Sequence, residues 1–170
     1  MKKPKGSGRR WAHEYLNIAI WKVESTEMQK EGYLHIYYGE GIGLAPTILG
    51  MALRSCGAGL NTGYFRLHGE DNRDVQKSLY DIDSDIFSDI LAGVRFQDYY
   101  DTSSYIDTVT KELNNYDMII LEMGRPLSLE VLENILAARS GSVEILLCGA
   151  SFPKELLNAA DLISRVDYID

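Results

Sequence analysis

The stretch Gly39-Glu40-Gly41-Ile42-Gly43-Leu44-Ala45-Pro46-Thr47 has the glycine spacing of a turn whose backbone N–H groups can close around an anion. It joins an aromatic and β-branched run, Tyr33 to Tyr38, to a helical one, the place where α/β proteins hold phosphate. A working phosphate loop also needs a lysine reaching the β and γ phosphates and a Ser or Thr hydroxyl on Mg²⁺. Leu44 and Ala45 occupy those places, and Thr47 brings the nearest hydroxyl three residues beyond the lysine position. Between Lys30 and Arg54 there is no Lys or Arg, whereas Glu31 and Glu40 both fall in that interval, so a triphosphate would meet net negative charge. Each charge-assisted phosphate contact that is lost costs roughly 2–3 kcal/mol, about 30-fold to 150-fold in affinity. Weak or no ATP binding is the expectation.

A second candidate is Glu122, which closes the apolar run Met118 to Leu121. Its carboxylate either still reaches a cation or simply ends a buried strand in a wet crevice. Gly39, Gly41, Gly43, Leu44, Thr47 and Glu122 are therefore the candidate cofactor-binding residues. No residue is assigned a catalytic role, no metal site is read, and the cofactor is left unknown. His68 with Glu70 and Asp71 lacks the distant group that a metal site needs. His35 reads as a half-buried strand residue, and His13 falls on the polar side of a helix. Tyr99, Tyr100 and Tyr105 could stack on a planar ring or fill the core. Arg54 and Arg125 are the cations expected nearest the cleft.

The elements that must position these residues alternate along the chain. Helix is expected over 46–55, opened by Pro46 and closed by Gly57 and Gly59. Tyr64 to Leu67 reads as a strand. The stretch 69–101 is the most acidic and least periodic part, read as loop with one short helix starting near Asp81 or Asp83. A helix over 103–114 with Thr102 or Ser103 as cap, a strand at 118–121, a helix at 128–139 and a strand at 143–148 follow. A helix at 153–160 after a Ser151 cap and a strand at 162–168 complete the series. This alternation predicts a three-layer α/β/α fold with a mostly parallel sheet.

The chain has 170 residues, 45% hydrophobic and 25% charged, enough for one domain with one core. Residues 1–8 read as a disordered basic tail, and residues 9–170 as a single domain led by a helix over about 10–29. Trp11 and Trp21 on that helix either pack on another subunit or cover an edge of their own sheet. The formal charge is -8, yet Lys2, Lys3, Lys5, Arg9 and Arg10 all precede the first acid, Glu14; without those five the rest carries -13. So acidic a surface repels phosphate backbones, and no nucleic-acid partner is expected. Cys56 and Cys148 are far apart with no metal-ligand spacing, which reads as two buried thiols in a reducing compartment. No apolar run approaches the roughly 20 residues of a membrane span, and no signal peptide is read. A cytoplasmic protein without a membrane partner is expected.

Several stretches, in order, resemble the phosphate-loop family of ATP:corrinoid adenosyltransferases. They are Tyr33 to Gly41, Leu49 to Arg54 with Gly57 to Leu60, Tyr116 to Leu121, Val143 to Gly149, Pro153 to Leu157 and Ala159 to Ile163. The resemblance implies a P-loop NTPase-like fold and the transfer of 5'-deoxyadenosyl from ATP to the reduced cobalt of a corrinoid. The family's loop reads Gly-x-Gly-Lys-Gly-Lys-Thr-Thr; Ile42 and Leu44 stand for its lysines, and Ala45 and Pro46 for its threonines. Its Asp-Glu pair corresponds to Glu122 and Met123, and its Thr-Gly-Arg to Cys148, Gly149 and Ala150. From Arg66 to Thr110 the correspondence is poor. The family's leading segment can cross a neighbouring subunit's active site, and the helix from Arg9 resembles it in position, which implies a homodimer.

The expectation is a degenerate family member without adenosyl transfer that binds a corrinoid or a protein partner. One alternative is an active enzyme working through Glu122, Thr47 and backbone donors at Gly41 and Gly43. Another is a structural homo-oligomer without a ligand.

Overall fold

A computed structural model describes residues 32–40, 43–69 and 93–167, all within one compact unit, Glu31–Asp170. The expected basic tail, the helix over 10–29 with Trp11, His13 and Trp21, and the short helix after Asp81 lie outside the described residues. The described strands are β1 (Leu34–Tyr38), β2 (Thr62–Leu67), β3 (Val94–Tyr99), β4 (Met118–Met123), β5 (Glu144–Gly149) and β6 (Leu162–Arg165). The helices are α1 (Leu44–Gly57), α2 (Thr102–Glu112, running into a 3₁₀ turn at Leu113–Asn115), α3 (Leu129–Ala137) and α4 (Lys154–Ala159).

The six strands form one sheet in the order β3-β2-β4-β5-β1-β6, with every pairing parallel. Side chains alternate between two faces, and each face carries its own apolar cluster. One cluster joins Ile36, Phe65, Leu67, Ile119, Leu121, Ile145 and Leu147 to α2 and α3 through Tyr105, Val109, Leu132 and Ile135. The other joins Tyr37, Tyr64, Ile120, Leu146 and Cys148 to Ile48 and Ala52 of α1. Coverage on both faces explains why β4 and β5 are apolar throughout, and it gives the three layers expected from the alternation.

Strand β6 ends at Arg165, short of the expected 168, and three helix starts differ from expectation for local reasons. Helix α1 begins at Leu44, before Pro46, which sits in the first turn where no intrahelical N–H bond is required. The cap of α2 is neither Thr102 nor Ser103 but Asp101, whose carboxylate accepts from the Ser104 N–H at 2.8 Å. Helix α4 starts after Pro153 with no side-chain cap, so Ser151 does not serve as one. A further difference is larger: β3 occupies part of the acidic stretch read as loop. It is an edge strand whose Arg95, Phe96 and Asp98 are exposed, so it lacks the apolar signature of the central strands.

The Asp101 cap carries a pH prediction. The backbone and hydroxyl donors of Ser104 hold the Asp101 carboxyl below its ordinary value. A folded value below the unfolded one means that the cap's contribution is complete above the ordinary carboxylate range and is lost as pH falls through the lowered value. The protection of the Ser104 amide, its exchange rate relative to the unfolded chain at the same pH, should therefore hold through mildly acidic pH and fall only in stronger acid; a fall already near neutrality would contradict the cap.

Among the described residues no helix is long and apolar enough to cross a membrane.

Candidate functional site

Parallel strands end together, so the loops after β1, β4, β5 and β6 meet at one edge of the sheet. Among the described residues, two cavities lie there. One, of about 520 Å³, is lined by Tyr38, Gly39, Glu40, Ala150, Ser151, Arg165 and Asp167. The other, of about 320 Å³, lies beyond β4 and β5 between Met123, Arg125, Leu127, Leu132 and Phe152, and shares Ala150 and Ser151 with the first.

The glycine-rich turn opens the larger cavity. Gly39 has φ +132°, and its N–H donates to the Gly149 carbonyl at 3.2 Å, so that donor is taken by the neighbouring strand end. A Cβ on Gly39 would press into the Val166 carbonyl, closer than any real Cβ approaches. Gly41 and Ile42 lie outside the described residues. Gly43 is the N-cap of α1 with φ -75°, and a Cβ there would meet Val166 Cγ1 at an ordinary 3.5 Å. Leu44 is half-buried and packs against the cluster around Ile48 and Ala52. Thr47 is exposed, and its Oγ1 donates to the Gly43 carbonyl at 2.7 Å, which commits the hydroxyl to its own helix turn.

Glu122 is not at a wet strand end. Strand β4 continues through it to Met123, and Glu122 is only 8% exposed. The register sets it beside Arg66 on β2 and Cys148 on β5. Its Oε2 accepts from Arg66 Nε at 2.8 Å and from the Tyr64 hydroxyl at 2.5 Å. The Arg66 guanidinium lies 5.6 Å from the Tyr64 ring centre and reaches Asp98 Oδ1 at 3.4 Å. Asp98 also meets His68 Nε2 at 2.9 Å, and the His68 ring stacks on Tyr100 with centres 4.4 Å apart and planes 9° from parallel. Burial pushes the Cys148 thiol well above its ordinary value, helped by the nearby Glu122 carboxylate. Cys56, the other thiol expected to be buried, is only half-buried.

A polar chain Tyr64–Glu122–Arg66–Asp98–His68 thus crosses three strands on the face that α1 covers, at the end nearest the cleft. A buried carboxylate held by a guanidinium and a phenol is an internal counter-ion, satisfied by side chains. Nothing in the local sequence marks it except the period-two spacing of Tyr64, Arg66 and His68, which places all three on one face of β2.

The expected cations divide. Arg54 is exposed on α1 and lines neither cavity. Arg125 lines the smaller cavity, and its guanidinium braces the loops after β2 and β3 by donating to the carbonyls of His68 at 2.9 Å and Tyr100 at 2.8 Å. Arg165, which the sequence reading did not single out, lines the larger cavity. Its Nε is 2.8 and 3.1 Å from the two Asp167 oxygens, and that carboxylate raises its pKa. With Glu40 also on the wall, the larger cavity holds two carboxylates and one guanidinium.

Of the aromatic cluster, Tyr99 and Tyr105 pack with each other at 5.6 Å under α2, and only Tyr100 is largely exposed. His35 is half-buried in β1 with Nδ1 3.7 Å from Glu144. Glu70 and Asp71 lie outside the described residues, and among those described no three His, Cys, Asp or Glu converge as metal ligands.

This all-parallel sheet, with a glycine turn after its first strand and an acid on the strand two places away, defines a P-loop NTPase-like α/β protein. Two solved structures share the fold: the flagellar accessory protein FlaH from Methanocaldococcus jannaschii and the RadB recombinase. FlaH matches with a TM-score of 0.53 at 12% identity over 80% of this chain and 71% of its own. RadB matches with a TM-score of 0.52 at 14% identity over 82% and 76%. The family model described as ATP:corrinoid adenosyltransferase BtuR/CobO/CobP matches residues 30–170. The chain belongs to that family. No curated protein matches it.

Proposed function

We propose that this chain is a member of the adenosyltransferase family that does not transfer adenosyl, and that it binds a corrinoid without ATP. The observation that carries this reading is the engagement of Glu122. The carboxylate that would face Mg²⁺ accepts instead from Arg66 and Tyr64 inside the sheet. Among the described residues, the other positions of the nucleotide loop are committed within the fold in the same sense. Leu44 packs where a lysine would reach phosphate, the Thr47 hydroxyl bonds to its own helix, Pro46 has no N–H, and Gly39 donates to Gly149. The larger cavity, with Glu40 and Asp167 against Arg165, is matched to a ligand without clustered negative charge. The corrinoid part of the proposal rests on family membership.

Isothermal titration of the purified chain tests it. The expected result is heat on adding a corrinoid, none on adding ATP with Mg²⁺, and no adenosyl transfer to reduced cobalt. Magnesium-dependent ATP affinity in the micromolar range, or measurable transfer, would overturn the reading. Silence with both ligands would favour a protein that acts only through other chains.

A further inference from the structure

The loops that leave β4 and β5 enclose the smaller cavity, and at about 320 Å³ it falls at the lower end of the range for small-molecule sites. Its walls continue the apolar cluster that α2 and α3 cover. Met123 and Leu132 are buried members of that cluster, and Leu127 and Phe152 pack against it. Pro126 and Pro153 also line the cavity, and neither has a backbone N–H to offer a ligand.

One charge is set into this lining. Among the described residues Arg125 is the only ionisable side chain on the wall, and no carboxylate is there. Arg125 is half-buried, and its guanidinium donates to the carbonyls of His68 at 2.9 Å and Tyr100 at 2.8 Å. Those acceptors are neutral, so the two bonds fix the group in place without cancelling its charge. Asp101 has its carboxyl lowered first by Ser104 and only last by Arg125, is exposed, and does not line the cavity. The larger cavity is the reverse, with Glu40 and Asp167 against Arg165.

We infer that the smaller cavity binds a small apolar monocarboxylate, its hydrocarbon body against Leu127, Leu132 and Phe152 and its carboxylate turned to Arg125. The inference rests on the cavity's own chemistry and is independent of the corrinoid reading. What the site offers an anion is the field of a guanidinium beside apolar carbon, where charge is screened less than in open water. A neutral hydrocarbon would cover Arg125 with nothing to answer its charge. A phosphate would bring more charge than one guanidinium matches, and it would have to shed water against apolar walls. An acid the size of benzoate meets both halves of the site: its ring packs with Phe152, and its single charge faces the single cation.

Amide spectra of the isotope-labelled intact chain, titrated with benzoate in the absence of corrinoid and nucleotide, test it. The expected result is a saturable shift of the Gly124, Arg125, Ala150 and Phe152 signals with a dissociation constant of about 1 mM or below, a modest affinity per atom for so small a ligand. Benzamide, the neutral isostere, should bind at least about tenfold more weakly, and inorganic phosphate should leave those signals in place. Arg125→Gln should weaken benzoate at least about tenfold, whereas Arg125→Lys, which keeps the charge, should retain part of the affinity. No saturable shift at these signals overturns the inference, as do equal affinities for benzoate and benzamide, or phosphate that competes with benzoate. If the Arg125 variants fail to fold because the brace to His68 and Tyr100 is lost, the comparison of benzoate with benzamide in the parent chain decides.

Discussion

Replacing Glu122 with alanine should lower the unfolding free energy by about 3 kcal/mol, measured as a shift in the urea midpoint with an unchanged slope. The size follows from burial. The Glu122 and Arg66 side chains are each about 10% exposed, so solvent screening does little to weaken their interaction. Removing the carboxylate takes the acceptor from Arg66 Nε and from the Tyr64 hydroxyl together. Arg66 keeps Asp98 at 3.4 Å, which places the loss at the lower end of the range for breaking a buried pair. Glu122→Gln keeps an acceptor but loses the charge and should cost about 1–2 kcal/mol. Replacing both Glu122 and Arg66 with methionine should recover much of the loss, because neither charge then remains to be desolvated. A carboxylate kept to hold Mg²⁺ behaves in the opposite way: its removal barely affects an empty protein and abolishes nucleotide affinity. A Glu122→Ala loss below about 1 kcal/mol would therefore count against the counter-ion account and against the proposed function.

The same pair shows how far the sequence could be read. Strands β4 and β5 are legible because burial on both faces leaves a continuous apolar run, and α1 because Pro46 and Gly57 bracket it. The glycine turn and its missing cations are equally legible, since they are local. Strand β3 is not. Its Arg95, Phe96 and Asp98 are largely exposed at the edge of the described sheet, and a half-exposed polar strand inside an acidic stretch looks like loop until its neighbour is known. The partnership of Glu122 with Arg66 is hidden for a different reason. The two are 56 positions apart and meet only because β2 and β4 are neighbours, so the strand order has to be known before the ion pair can be seen. Arg165 was missed likewise, because β6 returns beside β1 and carries it to the cleft.

The glycine turn gives the second large effect. Gly39→Ala should cost about 3 kcal/mol or more, seen as a fall in melting temperature. Two penalties add: a side chain at φ +132°, where L residues are strained by about 1–2 kcal/mol, and a methyl group driven into the Val166 carbonyl, of the order of 1–3 kcal/mol. Backbone cannot yield there cheaply, because Gly39 donates to Gly149 and Val166 donates to Tyr38, which fixes both sides of the contact. Gly43→Ala is the informative contrast. At φ -75° with its nearest neighbour at 3.5 Å, the added methyl makes an ordinary contact, and the change should stay within about 1 kcal/mol. If glycine were needed here mainly for a ligand's approach, both positions would tolerate alanine in the empty protein, and binding alone would suffer. A large loss at Gly39 with near-neutrality at Gly43, in protein without ligand, assigns the first glycine to the packing of strand β1 against the segment after β6. Such a result would make the turn's shape a property of the fold itself, independent of any bound ligand.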